Sequence, residues 1–421
     1  MVTKGQSSRG GTLYLMGWAP ALFAALATLW WWLGLDFLAL PLLGILSLVS
    51  GAFTPGRRVR IPALGWWIAF LVWALLSLVV NGESTAPFSL RSLLSYAAFP
   101  AILWGAQRIA QRLGPLPLVR GVSWGVLTAH IVGITATILQ WPPPFWALGA
   151  SRVPPAILLT ELGQQALFKE AVRLKGSPLL GQVEVRVGSL FSFENYYALA
   201  ALVGAVAGWW LWKKGKRGDR VLGATLLSLT PFAIYGARSR SALVALVVVG
   251  VWVWASRDEG GVSRGVRGAV VALVATLGLG VALLSGWASE VSSFREASNE
   301  RRIDIYRETV LATAGRPLLG YGAPADPGLV RGGTPSGFHL GSHSEPLAIL
   351  FRFGFVGALF YSLGVLGFWR RLRDHQSVPT KAAMFLLGVI SIQSLFITLT
   401  LDGTPVAWAL LLVGAAKGAK S

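Results

Sequence analysis

Four stretches of this sequence carry side chains able to bind an anion or move a proton. The first, Gly341-Ser-His-Ser-Glu-Pro-Leu, sets His343 at the head of a long apolar run. An imidazole there can be neutral near pH 7 and accept a proton. Ser344, Glu345 and Pro346 also suit a helix start, and the two readings are compatible. The second, Ala237-Arg238-Ser239-Arg240-Ser241-Ala242, lies between two apolar runs. Arginines at such depth are costly: they face a cavity and meet an anion, or they snorkel to lipid head groups. The third runs from Arg186 to Tyr197. Arg186 suits bidentate phosphate contacts, Glu194 suits an arginine partner or a general base, and Asn195 suits a helix cap. The fourth is Arg301-Arg-Ile-Asp-Ile-Tyr-Arg-Glu. Helical spacing puts Arg301, Asp304 and Glu308 on one face, where pairing within the helix is the default. Arg302 and Tyr306 are one turn apart.

The remaining histidines are His130 inside an apolar run, His375 in a basic loop and His339 just before the first stretch. Cysteine is absent, which excludes disulfides and thiolate sites. No His or carboxylate pair has metal-ligand spacing. Together the four stretches fit a metal-free site, without a cofactor, in which arginines hold a diphosphate and one histidine serves as base.

Only a membrane-embedded scaffold can position these residues. The 421 residues are 54% hydrophobic and 13% charged, with a mean hydropathy of +0.60, whereas soluble domains carry roughly 25% charge. The apolar runs are continuous rather than alternating, which excludes a membrane β-barrel. Spans are expected near 12–33, 36–53, 62–80, 90–106, 118–140, 195–212, 221–236, 241–256, 268–287, 344–368, 381–400 and 404–417. The net charge of +19 would suggest nucleic acid in a soluble protein. Here 22 of the 37 basic residues fall in short loops on one side when the N-terminus is inside, the largest cluster being Lys213, Lys214, Lys216, Arg217 and Arg220. Topology therefore explains them, and both termini are expected inside. The first helix reads as an uncleaved signal anchor.

The expected organisation is 1–140 with five spans, an outside segment at 141–194, four spans in 195–287, an outside segment at 288–343, and three spans in 344–421. Neither outside segment is long enough for a separate domain with a good core, so both read as caps over a cavity. The run Phe168-Lys-Glu-Ala-Val-Arg-Leu-Lys reads as an amphipathic piece lying at the interface.

Three pieces of the sequence, the third holding two motifs, resemble on about twelve spans the O-antigen ligase and polymerase superfamily of bacterial membrane glycosyltransferases. His343-Ser344, nine residues and Gly354 resemble the ligase signature. Arg301 to Tyr306, followed by Arg316-Pro-Leu-Leu-Gly-Tyr-Gly, resembles the outside segment of the family. Gly188 to Ala198 and Ser239-Arg240-Ser-Ala resemble two earlier motifs, although Phe193-Glu194-Asn195 stands where the family has Asn-Pro-Asn. The resemblance implies an all-α, GT-C-like integral protein of the bacterial inner membrane with a periplasmic active site. It implies an inverting, metal-independent transfer of a glycan from undecaprenyl diphosphate to an acceptor hydroxyl. The ligase uses lipid A–core as acceptor; the polymerase uses another lipid-linked repeat. His343 would be the base, with Arg186, Arg240 and Arg238 on the diphosphate, and Glu194, Asn195, Arg301, Arg302 and Tyr306 as further site residues. Partners would be the lipid-linked donor, the acceptor and membrane lipids, and not nucleic acid. The ligase reading is favoured. A transporter or flippase of a lipid-linked anion would use the same basic cavity.

Overall fold

The computed structural model describes residues 17–54, 59, 61, 63–81, 86–139, 143–152, 167–177, 182–191, 193–237, 239, 241–247, 292–324, 340–341, 343–373, 378–395, 398–399 and 403–419. It is mostly helical. In chain order the helices are α1 (Ala27–Leu33), α2 (Ala39–Phe53), α3 (Leu64–Asn81), α4 (Ala86–Leu113), α5 (Leu116–Leu139), α6 (Glu194–Lys214), α7 (Arg217–Ala237), α8 (Ser292–Thr313), α9 (Glu345–Arg373), α10 (Val378–Ser394) and α11 (Thr404–Gly418). Residues 17–25 and 241–247 are helical too. The run expected as a span at 268–287, and most of that at 241–256, lie outside the described residues.

Among the described residues, five helices are long and apolar enough to cross a membrane: Asp36–Phe53, Leu64–Asn81, Leu116–Leu139, Arg217–Ala237 and Glu345–Arg370. The outer surface agrees with that role, since Val72, Val79, Ile138, Phe232 and Phe355 are all exposed. Apolar side chains on that scale would be a liability in water and are at home in lipid.

The core forms around α11, which is apolar on every face and buried along its length, apart from a partly exposed Lys417. A helix without a polar face belongs in the interior, and α11 packs against α2, α4, α5, α6 and α10. Small residues allow backbones to approach closely, as membrane helices require. A Cβ on Gly105 of α4 would run into the Ser47 carbonyl of α2, and one on Gly223 of α7 into the Gly208 carbonyl of α6. An aromatic cluster of Trp67, Phe70, Tyr96, Phe353 and Tyr361 joins α3, α4 and α9 in largely edge-to-face contacts.

The chain is not purely α-helical. Two antiparallel pairs form in the first expected outside segment: β1 (Phe145–Trp146) with β2 (Phe168–Lys169), and β3 (Val172–Ser177) with β4 (Gln182–Val187). The amphipathic run at 168–175 therefore supplies a strand to each of the two pairs. The cause is its period: Val-Arg-Leu-Lys alternates, and so does its partner Gln-Val-Glu-Val-Arg-Val. The β1–β2 pair is pinned to the bundle by Lys169, whose Nζ lies 2.6 Å from Asp36 Oδ1, with both groups buried. Arg91 reaches the same corner and donates to the Phe37 carbonyl at 2.9 Å.

Candidate functional site

His343 sits in the link between α8 and α9. Its backbone is left-handed, with φ of 61°, one of three non-glycine positions of that kind among the described residues. Such a conformation costs about 1 kcal/mol or more unless its surroundings enforce it. Two side chains of α8 do so. Tyr306 Oη donates to the His343 carbonyl at 3.0 Å. Gly341 N–H donates to Thr309 Oγ1 at 3.1 Å, while the Thr309 hydroxyl donates to the Ile305 carbonyl. The histidine itself is exposed. Burial raises the Tyr306 phenol above its ordinary range, with Arg302 pulling the other way, so the phenol stays a donor at neutral pH. Arg302 and Tyr306 thus belong to the surroundings of His343. Arg301 lies on the same helix, but its side chain is outside the described residues.

Two residues further on, Glu345 begins α9. Sequence reading offered it as a cap; the structure buries it completely. Its Oε1 accepts from Tyr96 Oη at 2.6 Å and its Oε2 from Leu399 N–H at 2.7 Å. Arg352, two turns along α9, is 3% exposed and directs Nη2 toward the Gly341 carbonyl at 3.5 Å. Sequence reasoning passed over Arg352. Its signal was a pair of opposite charges seven residues apart in an otherwise apolar span.

Gly354 explains the signature that begins at His343. Its φ of 66° and ψ of −173° break α9, a conformation essentially reserved for glycine. A Cβ there would strike the Leu318 carbonyl and lie 2.6 Å from the Pro317 oxygen. The break frees backbone groups that must find partners, and the Arg316-Pro-Leu-Leu-Gly-Tyr-Gly loop supplies most of them. Tyr321 N–H donates to Phe351 O at 2.9 Å, Gly322 N–H to Arg352 O at 2.7 Å, and Phe355 N–H to Pro317 O at 2.8 Å. From α3, Trp73 Nε1 donates to Phe353 O at 2.9 Å and Ser77 Oγ to Arg352 O at 3.0 Å. Tyr321 stacks on Phe351 with ring centroids 4.7 Å apart, and Arg316 lies over the Tyr321 ring and bonds Asn81. Leu318 and Gly354, 36 residues apart in sequence, thus bring two motifs into one clasp, and it fixes the half-helix that follows His343.

Arg186 lies near the end of β4, and its Nη1 is 3.0 Å from Glu194 Oε1. Glu194 is buried as the first residue of α6. Asn195 is the second residue of that helix, so it is not the cap; Phe193 holds that position. Arg238 and Arg240 lie outside the described residues, but their neighbours are placed. Ser239 is buried and its Oγ accepts from Ala242 N–H at 3.3 Å, capping the helix at 241–247. Val187 abuts Gly236, where a Cβ would lie 3.2 Å from Val187 Cγ2. The Arg186 strand thus borders the end of α7 that leads into Arg238. His130 is a core residue, its Nδ1 3.1 Å from Tyr197 Oη.

The end of α10 ties these pieces together. Gln393 Oε1 accepts from Ser241 Oγ at 2.9 Å, Thr398 O from Tyr196 Oη at 2.5 Å, and Leu399 N–H donates to Glu345. Within seven residues the chain bonds the Ser239–Ser241 segment, the head of α6 and the head of α9. The sequence reading assigned this stretch to a plain span.

Residues 223–362 match the family model described as O-antigen ligase. This third of the chain is similar to the O-antigen ligase family. The matched stretch holds the Arg238–Ser241 segment, α8, the clasp loop, His343 and Gly354, while the bonds to the break from Trp73 and Ser77 come from α3, before it. Arg186 and Glu194 lie before it. No curated protein matches the chain. The family match and the apolar helices together point to a multi-pass membrane protein. Among the described residues no group of three or more His, Asp or Glu could hold a metal ion.

Proposed function

We propose that this protein transfers a glycan from undecaprenyl diphosphate to an acceptor hydroxyl at the periplasmic face of the inner membrane, with lipid A–core as the acceptor, in the manner of an O-antigen ligase. The observation that carries the reading is His343: an exposed imidazole on a backbone held from α8, within the segment that matches the ligase family. In this reaction the acceptor hydroxyl attacks the anomeric carbon from the side opposite the diphosphate. His343 takes the hydroxyl proton. The bond from the anomeric carbon to the diphosphate oxygen breaks, its electron pair leaves with the diphosphate, and the configuration inverts.

Arg186, Arg240 and Arg238 are assigned to the diphosphate, whose charge grows as it departs. Glu194 orients Arg186. A guanidinium has five N–H donors, so it can be held by a carboxylate and still meet a phosphate. The β-strand pairs and α8 cover the outer ends of the helices in this reading. The basic loops, including 213–220, lie in the cytoplasm with both termini.

Purified protein incubated with a lipid-linked repeat, with and without lipid A–core, tests this. One transfer per acceptor supports the ligase; a ladder of lengths without acceptor shows a polymerase. His343→Ala should abolish transfer while melting as wild type, because the side chain is exposed. Wild-type turnover in that variant refutes the role given to His343, whereas absence of any transfer by the wild type favours transport of a lipid-linked anion instead.

A further inference from the structure

A second site lies away from the chemistry, where α6 hands over to α7. The connection is stiff. Lys216 N–H donates to Asp219 Oδ2 at 3.0 Å, Arg220 Nε to the Gly215 carbonyl at 3.2 Å, and Asp219 is engaged by Arg120 through two bonds of 2.7 and 2.8 Å. The negative charge in this turn is thus committed to α5, while Lys213, Lys214, Lys216, Arg217 and Arg220 face outward. Beside the turn is a groove of about 630 Å³ lined by Trp212, Arg217, Arg220, Ala224, Thr225 and Ser228 among others.

The α7 residues of the groove recur at three- and four-residue intervals and so form one face. From Arg217 to Ser228 the stripe rises about 17 Å at 1.5 Å per residue, roughly half of a hydrocarbon core about 30 Å thick. Its foot carries two arginines beside an indole that is 48% exposed. Above the foot it is lined by Val221, Ala224, Thr225, Ser228 and Leu229, and the Thr225 hydroxyl is already used on the Val221 carbonyl at 3.0 Å. Charge at one end and a mostly apolar groove one leaflet long fit an amphiphile. They do not fit a second copy of this helix, which would bring the same cations.

We propose that this groove binds an anionic phospholipid, with its phosphate on Arg217 and Arg220 beside Trp212 and one acyl chain along the Ala224–Ser228 stripe. The site is built, and so differs from the diffuse attraction of any basic loop to an acidic membrane. It is independent of the role given to His343.

The test places the full-length protein in nanodiscs of phosphatidylcholine with a minor share of phosphatidylglycerol, extracts it into detergent and measures the lipids retained. Phosphatidylglycerol should be enriched over its bulk share, and its addition should raise the melting temperature. Arg217→Gln with Arg220→Gln should lower the enrichment by about fivefold per arginine. Ala224→Trp, which fills the groove and keeps every charge, should lower it as well. Lys213→Gln with Lys214→Gln should leave it in place. Absence of enrichment in the wild type overturns the proposal. So does an equal loss in the lysine pair, retention after Ala224→Trp, or a melting increase reproduced by inorganic phosphate alone. The readout is bound lipid, so glycan transfer does not enter the outcome.

Discussion

Replacing Gly354 with alanine should disable the protein without touching any residue assigned to chemistry. Two costs can be worked from the structure. The first is backbone strain. With φ of 66° and ψ of −173°, an L-residue pays about 1–3 kcal/mol. The second is steric. The new methyl meets the Leu318 carbonyl and the Pro317 oxygen, which are main-chain atoms and cannot swing aside. Relief requires the clasp loop to withdraw, which gives up the bonds from Tyr321 N–H, Gly322 N–H and Phe355 N–H. At about 1 kcal/mol each, the total reaches roughly 4–6 kcal/mol, a large share of an ordinary stability margin of about 5–15 kcal/mol. Thermal unfolding in detergent, followed by intrinsic tryptophan fluorescence, measures the first consequence. Transfer from the lipid-linked donor, assayed well below the melting point, measures the second, because the half-helix that follows His343 loses its support. Gly65→Ala is the matched control: a Cβ there meets nothing within 4 Å, and alanine should be neutral or mildly stabilising in a helix. Wild-type melting and turnover in Gly354→Ala would refute the reasoning, since the break in α9 would then need neither glycine nor clasp.

Other expected outcomes concern the surroundings of His343. Tyr306→Phe removes the hydrogen bond to the His343 carbonyl and should slow transfer by about five- to tenfold, the equivalent of roughly 1 kcal/mol, with little change in melting; an unchanged rate constant counts against a positioning role. The phenol's folded pKa is raised, so its bond should contribute fully below the ordinary tyrosine value near 10 and fade only as pH rises through the higher folded value. The rate gap between Tyr306→Phe and wild type should therefore stay constant from pH 7 to 9, which a pH–rate profile checks. Glu345→Gln puts an amide where Tyr96 Oη and Leu399 N–H both donate. One of them loses its acceptor, at about 1–3 kcal/mol, and a double-mutant cycle with Tyr96→Phe should show coupling; additivity would mean that the two do not form one network.

The sequence displayed most of the helices because they are long apolar runs, unlike the polar α8, and the helical segments at 64–81, 116–139, 194–214 and 404–418 fall on runs read as spans. The strands β3 and β4 were harder to see, since six alternating residues next to charged ones also suit an interfacial segment. The run from His343 to Gly354 was legible as a motif, but the reason for its glycine was not. Gly354 is required by a carbonyl of Leu318, and only the folded chain brings them together. Glu345 looked like a cap because caps share its residue type and place; its burial depends on Tyr96 and Leu399, far away in the chain. The joining role of 393–399 left almost no trace, because Thr398 and Leu399 act through main-chain groups that every residue possesses.

The position of α11 bears on the order in which the protein can assemble. This helix follows every other described helix in the chain, yet it fills the centre against which α2, α4, α5, α6 and α10 pack. Neighbours such as α6 and α7, or α2 and α4, can pack on one another as they insert, each helix satisfying its own main-chain bonds, but the bundle lacks its central helix until α11 arrives. Any stall in translation before residue 404 would leave inserted helices that cannot close, a form for quality-control proteases rather than a partly active enzyme.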